Sequence, residues 1–385
     1  MKRKNGYLTG RESRQISKEN RRTTDRLEKT RKRKNVPESE YLTQMRDPNN
    51  AVEFDGLQTN FFTDAGVVRS VDGVSFDIPM GKVVGVVGES GCGKSVTSLS
   101  LMQLLQRPQG QITGGSIRLN LGDKAYDIVK TPENVMQQLR GNVISMIFQE
   151  PMTALNPVFR IGQQIEEVIR LHDPQRKDIK SRALELLELV GIANAAGVYR
   201  MYPHELSGGM RQRVMIAIAL ACNPRVIIAD EPTTALDVTI QAQILELLRD
   251  LKDKIGSSIL LITHDLGVVA GMADYVVVMY AGRVVEKGTV QEIFRDPAHP
   301  YTLGLMASKP VVGKRTDTLY SIPGKVPNPI DMPGYCYFRD RCEHAFEHCD
   351  GDYPCEVRLS DTHYVSCYQS RKEKVDGQHS GSEKS

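Results

Sequence analysis

The sequence predicts an α/β protein built on a mostly parallel sheet. Short apolar runs of about four to six residues, the length of buried parallel strands, alternate with amphipathic helical stretches. One of these runs, residues 82–87, leads directly into a glycine-rich turn. Such alternation is typical of a sheet whose faces are covered by helices.

The predicted elements follow one another along the chain. The expected strands are residues 70–78, 82–87, 116–121, 143–148, 226–229 and 258–263. Clear amphipathic helices are expected at residues 161–171, 179–190 and 240–252. Residues 274–287 carry a small Ala281-Gly282 turn between two apolar runs, which predicts a β-hairpin and hence an antiparallel part of the structure.

A chain of 385 residues is longer than one ordinary domain requires. We expect a main α/β domain with appendages. The expected parts are a basic N-terminal extension (1–50), the α/β domain (51–295) with a helical subdomain inserted at about 151–206, a Cys-rich C-terminal extension (296–370) and a disordered tail (371–385).

The net charge of +3 conceals an asymmetry between the N-terminus and the rest of the chain. Residues 1–47 contain 15 Lys and Arg against 7 Asp and Glu, including the run RKRK at residues 31–34. A segment of this composition predicts a flexible or weakly helical arm. A solvated extension is one interpretation, and contact with anionic lipid or nucleic acid is the other.

No apolar run reaches the roughly 18 to 20 residues that span a bilayer. The longest, residues 214–222, has nine. The basic N-terminus has no apolar stretch behind it, so a secretory signal is not expected. The sequence predicts a protein that stays in the cytoplasm.

A phosphate-binding loop is predicted at residues 88–95, GESGCGKS, which match G-x-x-x-x-G-K-[ST] between a strand and a helix. Glycines let successive N–H groups point at phosphates, and the helix N-terminus adds its positive end. Lys94 is expected to contact the β- and γ-phosphates, and the Ser95 hydroxyl to ligate Mg²⁺. The expected nucleotide-binding residues here are Gly88, Glu89, Ser90, Gly91, Cys92, Gly93, Lys94, Ser95 and Val96.

Two adjacent carboxylates follow the predicted strand 226–229. Because this strand is expected to end beside the phosphate loop, Asp230 would hold Mg²⁺. Glu231 would orient or deprotonate the attacking water as a general base. Together with the phosphate loop, the pair indicates hydrolysis of a nucleoside triphosphate.

The string LSGGM at residues 206–210 stands between these motifs. Ser207 is a predicted helix N-cap, and Gly208 and Gly209 expose N–H groups at a positive helix end, which predicts a second anion site. Here the sequence resembles the ATP-binding cassette (ABC) family, whose signature is LSGGQ, with Met210 in place of the glutamine. The resemblance implies a P-loop NTPase fold and ATP as the nucleotide.

The resemblance implies further roles residue by residue. Gln149, at the end of ISMIFQ, matches the glutamine that senses Mg²⁺ and water and connects to the transmembrane partner. Asp237 matches the aspartate that couples opposite sites, and His264 matches the histidine that contacts the γ-phosphate. Phe62 resembles the aromatic that stacks on adenine, although Phe61 is adjacent and either residue could be a core aromatic.

In this family the phosphate loop of one subunit and the signature of another close over one ATP, so the resemblance implies a dimer. Strings at residues 148–157, 210–224, 229–245 and 279–288 resemble the first of two paralogous ATPases in bacterial oligopeptide and dipeptide importers. That implies a peripheral subunit at the cytoplasmic face of the inner membrane, with two permeases, a paralogous ATPase and an extracytoplasmic substrate-binding protein as partners. Nickel, glutathione or another small solute is the alternative cargo. A soluble cassette acting on ribosomes or nucleic acid is the distant alternative, and no nucleic acid is expected as a partner.

Five of the seven cysteines lie within residues 336–367. In a cytosolic chain such a cluster indicates a metal or iron–sulfur site before disulfides. The arrangement is similar to one that binds a four-iron cluster in some of these importer subunits, and four thiolates suit [4Fe-4S] or Zn²⁺. The cysteines in that arrangement are Cys336, Cys342, Cys349 and Cys367. Cys355 leaves the fourth ligand open, and three histidines keep zinc as an alternative: His344, His348 and His363.

Overall fold

The computed structural model describes residues 8–234, 237–308, 320–330 and 332–370. The tail predicted to be disordered, residues 371–385, lies outside the described residues, as do the first seven residues of the N-terminal extension. Over the described ranges, no helix combines the length and the apolar character needed to span a bilayer.

Strands and helices alternate through most of the chain. The strands are β1 (Leu42–Thr43), β2 (Asn50–Thr63), β3 (Gly66–Pro79), β4 (Val83–Val87), β5 (Gly110–Asn120), β6 (Ala125–Asp127), β7 (Ile144–Ile147), β8 (Val226–Asp230), β9 (Ser258–Ile262), β10 (Tyr275–Tyr280), β11 (Arg283–Thr289), β12 (Val357–Arg358) and β13 (Tyr364–Val365). The helices are α1 (Gly10–Arg31), α2 (Lys94–Leu101), α3 (Glu133–Leu139), α4 (Pro151–Ala154), α5 (Ile161–His172), α6 (Ile179–Leu189), α7 (Ala195–Val198), α8 (Gly208–Ala219), α9 (Val238–Ile255), α10 (Leu266–Met272), α11 (Val290–Arg295) and α12 (Pro300–Ala307).

The larger sheet has eight strands in the order β12-β13-β11-β10-β4-β9-β8-β7. Neighbours from β10 to β7 are parallel, and the remaining pairs are antiparallel. β4, β7, β8 and β9 are buried along their whole length, which explains their uninterrupted apolar sequences. β10 and β11 form the predicted hairpin, with Ala281 and Gly282 in left-handed conformations at its turn.

A second sheet of five strands is antiparallel, in the order β1-β6-β5-β2-β3. β2 is not among the strands predicted from the sequence. Its pairing with β3 shifts register between Phe54 and Leu57, and this bulge interrupts the alternation of apolar and polar residues that would mark a strand. The mostly parallel sheet, the antiparallel part and the helices between them confirm the predicted fold class.

Two apolar cores lie on opposite faces of the parallel sheet. Successive residues of β4 face them in turn: Val83 and Val87 pack with the helical side, and Val84 and Val86 pack with the antiparallel sheet. A Cβ at Gly85 would lie 2.8 Å from Val269 Cγ1, so α10 packs directly onto the strand. Packing on both faces therefore holds the parallel strands, and with them the loops that follow their carboxyl ends, in place.

The segment between β7 and α8 is helical. Residues 151–206 contain α4, α5, α6, α7 and the 3-10 turn Pro203–Glu205, and none of the described residues in this range belongs to a strand. α5 and α6 contact each other and α8, which buries Ile165 and Leu186. This is the region in which we expect the helical subdomain.

The N-terminal extension, for which we expect a flexible or weakly helical arm, contains a helix. Residues Gly10–Arg31 form a single 22-residue helix. Thr9 and Glu12 form a capping box at its start, which satisfies N–H groups that a helix terminus otherwise leaves unpaired. Of the two expected forms, the helical one therefore describes residues 10–31.

Contacts with distant residues hold α1 against the antiparallel sheet. The Asn20 amide donates to the Thr63 carbonyl oxygen at 2.8 Å, at the end of β2. Glu28 pairs with Arg107 at 2.7 Å, and neither side chain is more than 17% exposed. Composition does not reveal these partners, because they lie outside the basic segment.

The C-terminal extension docks on the edge of the larger sheet through β13, which pairs with β11. Tyr337 donates its hydroxyl to Asp72 Oδ2 at 2.6 Å, and Arg283 Nη2 donates to the same oxygen at 2.7 Å. Asp72 lies on β3 and Arg283 on β11. One buried carboxylate therefore joins both sheets to the extension.

Candidate nucleotide-binding site

The phosphate loop follows β4 and is enclosed by neighbouring backbone. Gly88, Gly91 and Gly93 have φ of 150°, 78° and 100°. A Cβ at Gly88 would lie 2.1 Å from the Met279 carbonyl oxygen, and a Cβ at Gly93 would lie 2.3 Å from the Ser70 carbonyl oxygen. Only glycine fits these two positions. α2 begins at the next residue, so its N-terminus opens onto the loop.

The Lys94 side chain is buried and folds back over the loop. Its Nζ donates to the Gly88 carbonyl oxygen at 2.7 Å and to the Glu89 carbonyl oxygen at 3.1 Å. Among the residues that the structure describes, this ammonium forms no ion pair. A buried charge without a counter-charge is unfavourable, and a phosphate group would provide the counter-charge. The loop therefore fits the triphosphate expected there.

Ser95 and Asp230 form a pair of oxygen ligands beside the loop. The Ser95 hydroxyl donates to Asp230 Oδ1 at 3.0 Å. Burial, and then the charge of Glu231, raise the pKa of Asp230. A bound cation would favour the charged carboxylate, and hydroxyl and carboxylate oxygens are ligands that Mg²⁺ accepts. These two residues therefore fit the Mg²⁺ site expected for them.

Glu231 directly follows β8 in a strained conformation. Its φ is 46°, in the left-handed region that non-glycine residues rarely adopt. Its N–H donates to the Ile262 carbonyl oxygen at 2.8 Å, which fixes the residue to the end of β9. Strain of this kind persists only where the surroundings impose it and is concentrated at functional sites.

Three side chains contact the Glu231 carboxylate. Gln149 Nε2 lies 2.8 Å and Thr234 Oγ1 lies 2.9 Å from Oε2, and His264 Nδ1 lies 3.2 Å from Oε1. Burial raises the pKa of Glu231, but the hydrogen bonds of Thr234 and His264 and the charges of His264 and Lys94 outweigh it and lower the pKa below its ordinary value. The carboxylate is therefore ionised at neutral pH, as a general base must be.

These residues meet because of the strand order. β4, β9, β8 and β7 are adjacent and parallel, so the loops after their carboxyl ends share one edge of the sheet. Gln149 follows β7 by two residues, Glu231 follows β8 directly, and His264 follows β9 by two residues. Thr234 is a contact that sequence patterns do not predict, although its position three residues after Glu231 is the available signal.

The signature motif lies at the start of α8. The Ser207 hydroxyl accepts the N–H of Met210 at 3.4 Å, and Asp237 accepts the N–H of Ile240 at 3.0 Å at the start of α9. A Cβ at Gly209 would lie 3.1 Å from the Ile240 side chain, so the two helix starts are neighbours. Within the described residues, no hydrogen bond or ion pair joins either helix start to the phosphate loop of the same chain.

The predicted adenine-stacking residue lies near the end of β2. Phe62 pairs with Val67 of β3. A Cβ at Gly110 would lie 2.9 Å from the Phe61 ring, so Phe61 packs between β2 and β5. Successive residues of a strand face opposite sides, so Phe62 faces away from the side on which Phe61 packs. Contact of Phe62 with adenine stays a prediction.

Two residues of the C-terminal extension reach the phosphate loop. The Tyr301 hydroxyl accepts the N–H of Glu89 at 2.8 Å. Arg341 binds the Glu89 carboxylate through both terminal nitrogens, at 2.7 and 3.0 Å. The string HPYT at residues 299–302 draws attention to Tyr301 in the sequence. No sequence signal indicates that Arg341 contacts the same loop residue.

Four cysteine side chains line one narrow cavity in the C-terminal extension. They are the four expected: Cys336, Cys342, Cys349 and Cys367. Burial and, to a smaller extent, the other three thiols raise the pKa of the Cys336 thiol to about 11. Cys355 is exposed and does not border this cavity. The structure therefore groups the four predicted ligands and leaves the fifth cysteine outside.

The thiols are not arranged as a site closed around one ion. Within the described residues, no three His, Cys, Asp or Glu side chains are placed so that they could hold a metal ion. Their number and type match the donor set of a four-iron cluster, and this match is all that the geometry offers. His344 borders the cavity, whereas His363 Nε2 lies 2.8 Å from Glu286 in a separate buried pair.

Comparisons with known proteins agree with the geometry. Residues 71–234 match the ABC transporter family, and residues 285–349 match the C-terminal region of oligopeptide/dipeptide transporters. The oligopeptide transport ATP-binding protein AppD of Bacillus subtilis (strain 168) is 52% identical, over 84% of this chain and 97% of AppD. OppD of the same organism, also an oligopeptide transport ATP-binding protein, is 50% identical, over 82% of this chain and 88% of OppD.

A solved structure supports the same fold. The ATP-binding cassette MJ0796, in a dimeric post-hydrolysis state with ADP and phosphate, is 25% identical with a TM-score of 0.55, and the match covers 62% of this chain and 98% of that cassette. The enclosed phosphate loop, the Ser95–Asp230 pair and the ionised Glu231 carboxylate agree with these matches, which show an ATP-hydrolysing enzyme. The chain belongs to the ABC transporter ATPases, in their oligopeptide/dipeptide importer branch.

Proposed function

We propose that this chain hydrolyses ATP to energise the import of oligopeptides or dipeptides through membrane permeases. The observation that carries the proposal is the Glu231 carboxylate, held ionised beside Lys94, Ser95 and Asp230. The peptide class is supported by the C-terminal region at residues 285–349 and by the similarity to AppD and OppD.

In the proposed reaction Glu231 orients a water molecule and accepts its proton as the water attacks the γ-phosphate. Lys94 stabilises the charge that the phosphates carry. Mg²⁺, held by Ser95, Asp230 and Gln149, would supply further positive charge at the phosphate oxygens when bound. His264, in contact with Glu231, would reach the γ-phosphate.

A second subunit completes the proposed site. Ser207, Gly208, Gly209 and Asp237 have no contact with the phosphate loop of their own chain among the described residues, while Ser207 and Gly208 are exposed. Residues at the exposed start of α8 are therefore free to contact the nucleotide of an opposing subunit, with the positive end of the helix toward its phosphates. We assign that subunit to a paralogous ATPase, and the dimeric form of the MJ0796 cassette supports the arrangement.

The permease contact is proposed for an exposed apolar surface beside Gln149. Four large apolar side chains there are 39% to 71% exposed: Phe148, Met152, Val158 and Phe159. Contiguous exposed apolar residues on a protein of this kind indicate a protein interface. Movement of Gln149 against Glu231 would thus reach the permeases through this surface.

The remaining partners follow from the same assignment. The chain would lie at the cytoplasmic face of the inner membrane, bound to two permeases, and an extracytoplasmic protein would deliver the solute. The direct test is a reconstituted transporter with all subunits. We expect ATP hydrolysis to rise several-fold when the binding protein carries a short peptide. Stimulation by nickel or glutathione, with none by peptides, would contradict the assigned cargo.

For the C-terminal extension we propose that Cys336, Cys342, Cys349 and Cys367 hold a [4Fe-4S] cluster. The support is the four-thiol donor set around one cavity and its similarity to the cysteine pattern of related subunits. Protein purified anaerobically should contain about four iron and four sulfide per chain. Stoichiometric zinc, or the absence of both elements with four reactive thiols, would contradict the cluster. Cys355→Ser changes only the cysteine outside the cavity, so this variant should retain the full iron content.

A further inference from the structure

We propose that Arg341 and Tyr301 are positioning residues of the nucleotide site, through which the C-terminal extension sets the affinity of the phosphate loop for ATP. The inference rests on the ATP-binding role of the loop and is independent of which solute is transported. Both residues contact Glu89, the second residue of the loop, and neither would touch the nucleotide itself.

Arg341 forms a rigid clamp on Glu89. Its Nη1 and Nη2 donate to the two carboxylate oxygens, a bidentate geometry that fixes both groups in one orientation. Nε donates to the Pro323 carbonyl oxygen at 2.9 Å and Nη2 also reaches the Ile322 carbonyl oxygen at 3.3 Å. The arginine side chain is only 6% exposed. Two carbonyl oxygens of the extension therefore hold the guanidinium in place, and the guanidinium in turn holds the Glu89 carboxylate.

Tyr301 fixes the backbone of the same residue. Its hydroxyl accepts the Glu89 N–H at 2.8 Å, and the residue is fully buried. The ring centroid lies 4.7 Å from that of Tyr280 and 5.4 Å from that of Phe338, so the ring has little freedom to move. Because the N–H of Glu89 is bonded here, it does not turn toward the phosphates.

Glu89 connects these contacts to the residue that meets the phosphate. The carbonyl oxygen of Glu89 accepts from Lys94 Nζ at 3.1 Å. The side chain, N–H and carbonyl of one loop residue are therefore bonded to Arg341, Tyr301 and Lys94, respectively. A displacement of Glu89 would move an acceptor of the Lys94 ammonium and open the loop that the glycines enclose.

The clamp is also tied to the cysteine cavity. Arg341 ends the 3-10 turn Arg339–Arg341, which lies between Cys336 and Cys342. The Arg339 N–H donates to the Cys336 carbonyl oxygen at 3.1 Å, and the Cys342 N–H donates to the Arg339 carbonyl oxygen at 3.2 Å. A restraint on Cys336 and Cys342 would therefore also restrain the backbone that positions Arg341 beside the phosphate loop.

The experiment measures the dissociation constant for ATP, with Mg²⁺, in the assembled transporter carrying Arg341→Met. We expect binding about tenfold weaker, and a raised KM for ATP with kcat within about twofold of the unsubstituted protein, because Arg341 acts on the loop that binds the phosphates and does not contact Glu231. Arg339→Met is the matched control. This arginine lies in the same turn but pairs with the exposed acids Asp340 and Asp350, and its loss should change ATP binding by less than about twofold.

A double-mutant cycle separates positioning from a general loss of stability. Glu89→Gln and Arg341→Met should each weaken ATP binding, and the double variant should be no weaker than the worse single variant, because both remove one interaction. Tyr301→Phe, which retains the ring, should also weaken binding several-fold. Unchanged ATP affinity in a folded Arg341→Met protein, or additive losses in the double variant, would overturn the proposal.

If Arg341→Met does not assemble, Arg341→Lys provides the same test with the positive charge retained. A lysine cannot form the two-pronged contact, so ATP binding should still weaken while the transporter still assembles. Affinity equal to that of the unsubstituted protein would contradict the role of the clamp. This readout is ATP binding alone, so a wrong cargo assignment would leave it unaffected.

Discussion

Gln149 donates a hydrogen bond from its side-chain amide to Glu231 Oε2 at 2.8 Å, although the two residues follow different strands of the parallel sheet. Thr234 contacts the same oxygen and His264 contacts the other. The proposed general base is therefore held by three neighbours. Because Gln149 borders the apolar surface proposed for the permeases, one hydrogen bond links that surface to the Glu231 carboxylate.

Glu231→Gln should abolish turnover while preserving ATP binding. The amide is similar in shape, and its oxygen can still accept from Gln149 and Thr234, but it cannot take the proton of the attacking water. We expect kcat to fall by about 10² to 10⁴, with the dissociation constant for ATP within about threefold of the original. Steady-state hydrolysis and equilibrium binding in the assembled transporter check both values. Glu188→Gln on the exposed face of α6 serves as the control, and near-normal turnover of Glu231→Gln would refute the assignment of the base.

Two loop glycines should respond differently to alanine. Gly91 and Gly93 both have left-handed φ, which disfavours alanine by about 1–2 kcal/mol. A Cβ at Gly91 would meet nothing within 4 Å, whereas at Gly93 it would lie 2.3 Å from the Ser70 carbonyl oxygen. Gly93→Ala should therefore lose more free energy of unfolding than Gly91→Ala, by about 1–3 kcal/mol. Denaturant titration of the two nucleotide-free variants measures the difference, and equal losses would show that the loop is not enclosed as described.

His299 should make the protein less stable in acid. Burial lowers the pKa of His299 to about 4 from 6.5, against the opposing charge of Glu286. Its Nδ1 accepts the N–H of Tyr301, which requires an unprotonated nitrogen. The unfolded chain therefore binds more protons between about pH 6.5 and 4, so the free energy of unfolding falls as the pH is lowered through that window and levels off below it. The full contribution is about 3 kcal/mol.

The matched variant for this prediction is His299→Asn, which retains a helix-capping acceptor but does not titrate. Thermal or denaturant unfolding between pH 7 and pH 4 should show a weaker pH dependence for the variant than for the original protein. Parallel pH curves for the two proteins would mean that His299 is not the group responsible.

Sequence patterns predict the parts of the site that lie within local motifs. The phosphate loop needs glycines at fixed positions beside Lys94, and the buried strand β8 leads directly to Asp230 and Glu231, so both features are visible in short stretches. Gln149 and His264 carry no such signal alone, and their roles came from resemblance to a known family. The strand order then explains why all of them meet at one edge of the sheet.

Contacts between distant segments were not predictable. Basic composition predicted a flexible or weakly helical arm but gave no sign of its contacts. In the structure, Asn20 and Glu28 hold α1 through partners on the antiparallel sheet and the segment before β5. Likewise, nothing near Arg341 in the sequence indicates that it binds Glu89 in the phosphate loop. The number of charges in a segment does not reveal which of them will be paired in the folded chain.

We propose that ATP is held between Lys94 of this chain and the signature of an opposing subunit, and that a second ATP is held between Ser207 and the opposing phosphate loop. The most direct measurement is a cross-link between Ser207→Cys and a cysteine placed in the phosphate loop of the partner ATPase, in a transporter that also carries Glu231→Gln. We expect the cross-link to form with ATP and to be absent without nucleotide. If no cross-link formed in any nucleotide state, while ATP still bound and was hydrolysed in the transporter without the Glu231→Gln substitution, the account of a shared site would be wrong.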